Sequence, residues 1–117
     1  MILVVEDDED VRELLEIALR GRGYVVVSVA NGSDAIAALE KERPCLMILD
    51  MVMPSMTGWD VLAKMRTDGH GSVPVCVISA LSKEPPPDAV ASLTKPFDIK
   101  NLVELARRYC DHAAATR

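Results

Sequence analysis

The sequence is poor in aromatic residues, in cysteine and in long uninterrupted apolar stretches. Its aromatic side chains are Tyr24, Trp59, Phe97 and Tyr109, too few for the stacking platforms on which single-stranded nucleic acids are held. Lys and Arg number 13 against 18 Asp and Glu, a formal net charge of −5, and the basic residues do not cluster. Direct binding to nucleic acid is therefore not expected. No stretch reaches the roughly 18 uncharged apolar residues of a membrane span, and residue 1 leads straight into a strand-like run rather than a leader peptide. The three cysteines, Cys45, Cys76 and Cys110, are odd in number and far apart, and two lie inside apolar runs. They read as buried thiols of a cytoplasmic protein, not as a disulfide framework.

What is present is a chain of 117 residues, half of them apolar, enough for one domain with a real core. Two kinds of segment alternate along it. Residues 1–5 (MILVV) form a short apolar, β-branched run, the mark of a strand buried on both faces. Over 8–22, Val11, Leu14, Leu15, Ala18 and Leu19 recur at helical spacing and Gly23 closes the segment. A second strand is expected at 24–30. Asn31, Gly32 and Ser33 then form a turn and cap before a helix marked by Ala35, Ile36 and Leu39. Strands at 45–49, 73–78 and 91–94 and helices at 57–66 and 99–110 complete the series, the last capped by Asp98. Repeated strand–helix units with short links predict an α/β, flavodoxin-like sandwich: a five-stranded parallel sheet in the order 2-1-3-4-5, covered by helices on both faces. The domain is expected to span 1–112, with 113–117 a tail or the start of a linker.

In such sheets ligands bind outside the carboxyl ends of the strands, where the strand order reverses. The oddly placed polar residues gather at that edge. Strand one ends in Glu6-Asp7-Asp8, strand three in Asp50, strand four in Ser79 and strand five in Lys95. Asp50 interrupts the apolar stretch CLMILDMVMP, where a charge is costly unless it is paired, hydrogen-bonded or holding a metal. Strands one and three are neighbours in the predicted order, so Asp7 and Asp50 should face each other. Carboxylates at close range repel unless a cation joins them. Oxygen ligands of this kind suit Mg2+. A carboxylate beside Mg2+, with an ammonium and a hydroxyl across the gap, can accept a phosphoryl group.

Four fragments, ILVVEDD, MILDMVMPSMTGWDVL, VCVISA and LTKPF, resemble in order the signatures of the response-regulator receiver family of two-component signalling, and they span nearly the whole chain. The resemblance implies an acidic pair at Glu6 and Asp7, a phosphoacceptor at Asp50 and a third Mg2+ ligand from the backbone carbonyl of Val52. It also implies a phosphate-contacting hydroxyl at Ser79, a phosphate-pairing ammonium at Lys95 and a cis peptide between Lys95 and Pro96. In the loop after the acceptor, Gly58 is expected to permit a tight backbone path. The implied partners are a sensor histidine kinase or phosphotransfer protein, whose phosphoryl group would pass to Asp50, and an unidentified downstream protein or output domain. A weak dimer is compatible with the resemblance. Family members are signalling proteins rather than enzymes, catalysing only their own phosphorylation and dephosphorylation.

Two departures from the family pattern stand out. Between Ser79 and Lys95 the family carries a helix, where this chain offers Pro85-Pro86-Pro87. Proline costs about 3 kcal/mol in a helix interior, so that helix is expected to be missing or reduced to about one turn. Ser92 also replaces the aromatic side chain that many receivers use in switching, which points to an altered output. Ordering of residues 79–91 on phosphorylation is the expected substitute. The rival readings are a phospho-independent receiver serving only as an interaction module, a dehalogenase-type hydrolase and a flavodoxin. The hydrolase reading is disfavoured by Val52 where a second Asp is usual, and the flavodoxin reading by the lack of a hydroxyl- and Gly-rich loop after strand one. No output domain follows within these residues, which suits either a stand-alone receiver or a piece of a longer protein.

Overall fold

Five parallel strands, in the order β2-β1-β3-β4-β5, make the sheet anticipated from the alternating pattern. The computed structural model describes residues 1–80 and 86–111. The strands are β1 (Ile2–Val5), β2 (Val26–Val29), β3 (Leu46–Asp50), β4 (Val75–Ser79) and β5 (Ala91–Thr94), and the helices α1 (Glu9–Arg20), α2 (Gly32–Lys41), α3 (Gly58–Thr67) and α4 (Ile99–Ala106). A π-helical turn, Arg107–Asp111, continues α4.

Period-two alternation divides the apolar residues between two cores. Leu3, Val5, Met47, Leu49, Val75 and Val77 face α2 and α3, where they meet Ala35, Leu39, Val61, Leu62 and Met65. Ile2, Val4, Leu46, Ile48, Cys76 and Ile78 face the other way, against Leu15 and Leu19 of α1 and Leu102 and Ala106 of α4. Because β1 and β3 are buried along their whole length, neither can slip by one residue without moving its side chains into the wrong core. The central strands are thus rigid mounts for whatever follows them.

Local signals set the helix starts. The Asp8 carboxylate accepts from the backbone N–H groups of Asp10 and Val11, and Asn31 from that of Asp34. Thr57 and Asp60 form a reciprocal capping box at α3. Asp98 caps α4 by accepting from the Lys100 N–H. Gly23, with φ of 91°, supplies the left-handed residue after α1.

Among the described residues no helix lies between β4 and β5, and 86–90 run as turn and bend into β5. Residues 81–85 of the proline-rich connector, and the tail from 112 onward, lie outside the described residues. Ser92 sits exposed on β5, in register with Val77. No helix among the described residues is long and apolar enough to cross a membrane.

The cysteines correct the sequence reading. Cys45 and Cys110 are joined in a disulfide, their Cα atoms 5.3 Å apart, and Cys76 alone is a free, buried thiol. The physical reason is the direction of α4. It leaves the carboxyl edge of the sheet after β5 and runs back along the strands, so its end meets the foot of β3, where Cys45 precedes Leu46.

Candidate functional site

β1 and β3 are hydrogen-bonded neighbours, Val5 in register with Leu49, so the chain that leaves β1 and the last residue of β3 emerge side by side. Glu6 follows directly on β1 and is 1% exposed, and Asp50, at 3%, is the other buried charged residue of the chain's described part. Asp50 is the last residue of β3 itself, paired with Ile78, rather than the first residue beyond the strand. Asp7 is exposed at the mouth of the site.

One ligand atom from each of Glu6, Asp7 and Asp50 lies within 4.8 Å of the other two. Lys95 enters from the far side, with Nζ 2.9 Å from Glu6 Oε1 and 3.6 Å from Asp50 Oδ2. The Glu6 carboxylate is buried within the cluster, and the Lys95 ammonium is its charged partner. Asp50 Oδ1 accepts the Val52 N–H at 3.1 Å. Val52 itself is exposed.

The electrostatics follow from this crowding. Burial, then the hydrogen bond to Glu6 and that residue's charge, raise the Asp50 pKa to about 7, against the opposing pull of the Val52 N–H and Lys95. Burial works against the Lys95 ammonium, but its contacts with Glu6 and Asp50 outweigh that and hold its pKa above the usual lysine value. With three carboxylates facing one ammonium, the ionised cluster has an excess of two negative charges, the charge of one divalent cation. That charge excess and the all-oxygen donor set fit Mg2+.

Ser79 ends β4, in register with Thr94, and its carbonyl accepts the Lys95 N–H at 2.8 Å. The Lys95–Pro96 peptide is cis, as the resemblance implied. All six residues singled out from the sequence (Glu6, Asp7, Asp50, Val52, Ser79 and Lys95) therefore stand on the carboxyl edge of the sheet, at or just after β1, β3, β4 and β5.

The role of Gly58 is a close approach, not an unusual dihedral. A Cβ there would stand 2.7 Å from Met51 Cα and 3.1 Å from the Asp50 carbonyl oxygen, and would run into Met51 Sδ. The residue in the left-handed region of this loop is Ser55, with φ of 69°. Sequence reasoning missed Arg12. Its Nη1 donates to the Glu6 carbonyl at 2.9 Å from the first turns of α1, bracing the loop that carries both acids. A basic residue just inside an acidic helix start was the available signal, but nothing in the spacing distinguished it from a solvated arginine.

Comparison with known proteins agrees with this geometry. The sequence model described as response regulator receiver domain matches residues 2–107. The chain is 37% identical over 110 residues to the probable transcriptional regulatory protein TcrX of Mycobacterium tuberculosis, covering 87% of this chain and 46% of that protein. It is 38% identical over 114 residues to the DNA-binding response regulator MtrA of Mycolicibacterium smegmatis, covering 91% and 48% respectively. It thus spans about half the length of these two relatives. Among solved structures, the response regulator TrrA of Thermotoga maritima in complex with Mg2+-BeF superposes with a TM-score of 0.81 at 28% identity, covering 92% of this chain and 96% of that one. The chain belongs to the response regulator receiver domain family of two-component systems.

Proposed function

We propose that this domain accepts a phosphoryl group on Asp50 from a phosphohistidine of a sensor kinase or phosphotransfer protein, with Mg2+ as cofactor, and thereby switches a downstream protein or output domain. The observation that carries this reading is the convergence of Glu6, Asp7 and Asp50 within 4.8 Å, with the Lys95 ammonium 3.6 Å from Asp50 Oδ2.

An Asp50 carboxylate oxygen forms the new bond to phosphorus as the N–P bond to the donor imidazole breaks, the imidazole nitrogen keeping the bonding electrons. Hydrolysis of the acyl phosphate later returns Asp50 and inorganic phosphate. The buried strand fixes the acceptor in position, which supplies orientation rather than raw reactivity. The Val52 N–H holds one carboxylate oxygen and so sets the rotation of the group. Lys95 would pair with an oxygen of the incoming phosphoryl group, and Ser79 would donate its hydroxyl to another. Glu6, Asp7, Asp50 and the Val52 carbonyl would hold Mg2+, which when bound neutralises charge on the phosphoryl oxygens. The domain is in this reading a signalling component that acts in the cytoplasm and turns over only its own phosphoryl group.

Incubation with Mg2+ and acetyl phosphate, followed by intact mass, tests the proposal. One added phosphoryl group that depends on Mg2+ and disappears in Asp50→Ala is the expected result. An unmodified mass under these conditions would favour a receiver that works by protein contact alone.

A further inference from the structure

We infer that Cys45 and Cys110 form a reversible thiol–disulfide site that fastens the end of the last helix to the foot of the strand carrying Asp50. The two residues are 65 positions apart in sequence. The covalent ring they close runs along β3 through Asp50, across the sheet to Lys95, and back down α4. It therefore encloses both charged groups at the far edge of the sheet, although the bond itself lies at the opposite edge.

Four observations favour a reversible fastening over a bond the fold depends on. First, the rest of the domain is held by other means. The β1–β3 ladder is complete, and Leu102 and Ala106 of α4 are fully buried against the sheet. Second, the segment the bond holds is distinct: the chain leaves α-helical geometry at Arg107 and passes through a π-helical turn to Asp111. The disulfide, a 2.5 Å hydrogen bond from Tyr24 Oη to Asp111 Oδ1, and the packing of partly buried Tyr109 against the core tie this turn to the body of the domain. Third, Cys45 is only half-buried while Cys110 is buried, so Cys45 is the side from which a small thiol or peroxide would approach. Fourth, the remaining thiol does not compete. Cys76 lies fully buried in the middle of β4, and burial pushes its pKa up to about 12.

The chemistry balances with ordinary partners. A dithiol reductant attacks one sulfur as a thiolate and releases the other, and its second thiol then displaces the first. The products are two cysteine thiols and the cyclic disulfide of the reductant. In the other direction hydrogen peroxide takes two electrons and two protons from the thiols, its O–O bond breaks, and two waters form with the new S–S bond. A reducing compartment holds the pair open, and oxidant closes it. In the closed form α4 cannot part from β3, and the turn at 107–111 is held to the foot of that strand. What that means for signalling rests on the receiver reading above; the bond and its release do not.

The test uses the purified chain in oxidised and dithiothreitol-reduced forms. Under native conditions a maleimide should label no cysteine of the oxidised form and two of the reduced form, and Cys76 only after denaturation. Peroxide should restore a Cys45–Cys110 cross-linked peptide in the wild type and in Cys76→Ala, and in neither Cys45→Ser nor Cys110→Ser. Hydrogen exchange at 107–111 should quicken at least tenfold on reduction while the amides of β1 and β3 stay as protected as before. Three results would each overturn the inference: no cross-linked peptide after peroxide, unchanged exchange at 107–111, or loss of protection throughout the sheet, which would make the bond a structural one. Acetyl phosphate labelling of Asp50 in both forms is read separately, so failure of the receiver reading would leave the redox result intact.

Discussion

Glu6 and Lys95 form a 2.9 Å ion pair in which the glutamate side chain is sealed from solvent and the lysine side chain is three-quarters covered. Removing one member of such a pair strands the other. Lys95→Ala should therefore cost on the order of 3 kcal/mol in urea unfolding without metal, and Mg2+ should recover part of it by neutralising the acids left behind. Phosphorylation by acetyl phosphate should fall by roughly a hundredfold, the scale of losing one preorganised charge at a transferring group. A variant that unfolds at the wild-type urea concentration would show that the pair contributes nothing.

The raised Asp50 pKa makes metal-free stability depend on pH with a definite sign. Between the ordinary carboxyl value of 3.8 and about 7, the folded chain binds a proton that the unfolded chain has released. Stability from this group is thus full below pH 4 and is lost as pH rises through 7. A loss of at least about 1 kcal/mol between pH 5 and 8 is expected in chelator. Asp50→Asn should flatten that slope, and millimolar Mg2+ should reverse it by preferring the ionised cluster. Chemical unfolding at a series of pH values, with and without Mg2+, measures all three; equal slopes in wild type and Asp50→Asn would refute the assignment.

Gly58 is the place where the loop after β3 has no room. Since an added methyl would meet the backbone of Met51 and the Asp50 carbonyl, Gly58→Ala must move α3 or the strand end. A cost of about 1–3 kcal/mol follows for overpacking of this kind. Mg2+ binding should weaken as well, because the displaced loop carries Val52. Trp59, the lone tryptophan, is exposed and adjacent, and its fluorescence can report both unfolding and metal titration.

How far these relationships were legible beforehand depended on whether a residue broke a pattern. Asp50 stood out because it interrupts an apolar run, and Glu6 and Lys95 because they end strand-like segments. Strand order then placed all three at one edge, and the structure brings them within ion-pair distance. Gly58 was legible as a tight place but not as a packing contact, since the neighbour it touches is fixed only once α3 is laid against β3. The disulfide was not legible at all. Cys45 and Cys110 each look like an apolar residue in its own segment, and only the return of α4 along the sheet brings position 110 back to the foot of β3. The π-helical turn was equally hidden, because the apolar spacing of Leu102, Val103, Ala106 and Cys110 fits an unbroken helix.

Arg12 allows a separation of positioning from ligation. Its guanidinium donates to the Glu6 carbonyl from outside the acidic cluster, so it touches no carboxylate oxygen of the cluster described above. Arg12→Ala removes one charge-assisted hydrogen bond at a partly exposed site, worth about 1 kcal/mol or less of stability. The loop bearing Glu6 and Asp7 would lose its brace, and Mg2+ affinity should fall several-fold, on the scale seen when groups that orient metal ligands are removed. Arg12→Lys keeps the charge and can still reach the carbonyl with one donor, so it should recover part of the affinity, whereas Arg12→Gln should recover less. Titrating Mg2+ against Trp59 fluorescence in the three variants decides the matter. If Arg12→Lys binds Mg2+ as the wild type does while Arg12→Ala and Arg12→Gln weaken equally, the long-range charge of the arginine, rather than its hydrogen bond, shapes the site. If none loses affinity, the β1–α1 loop is held by the Asp8 cap alone.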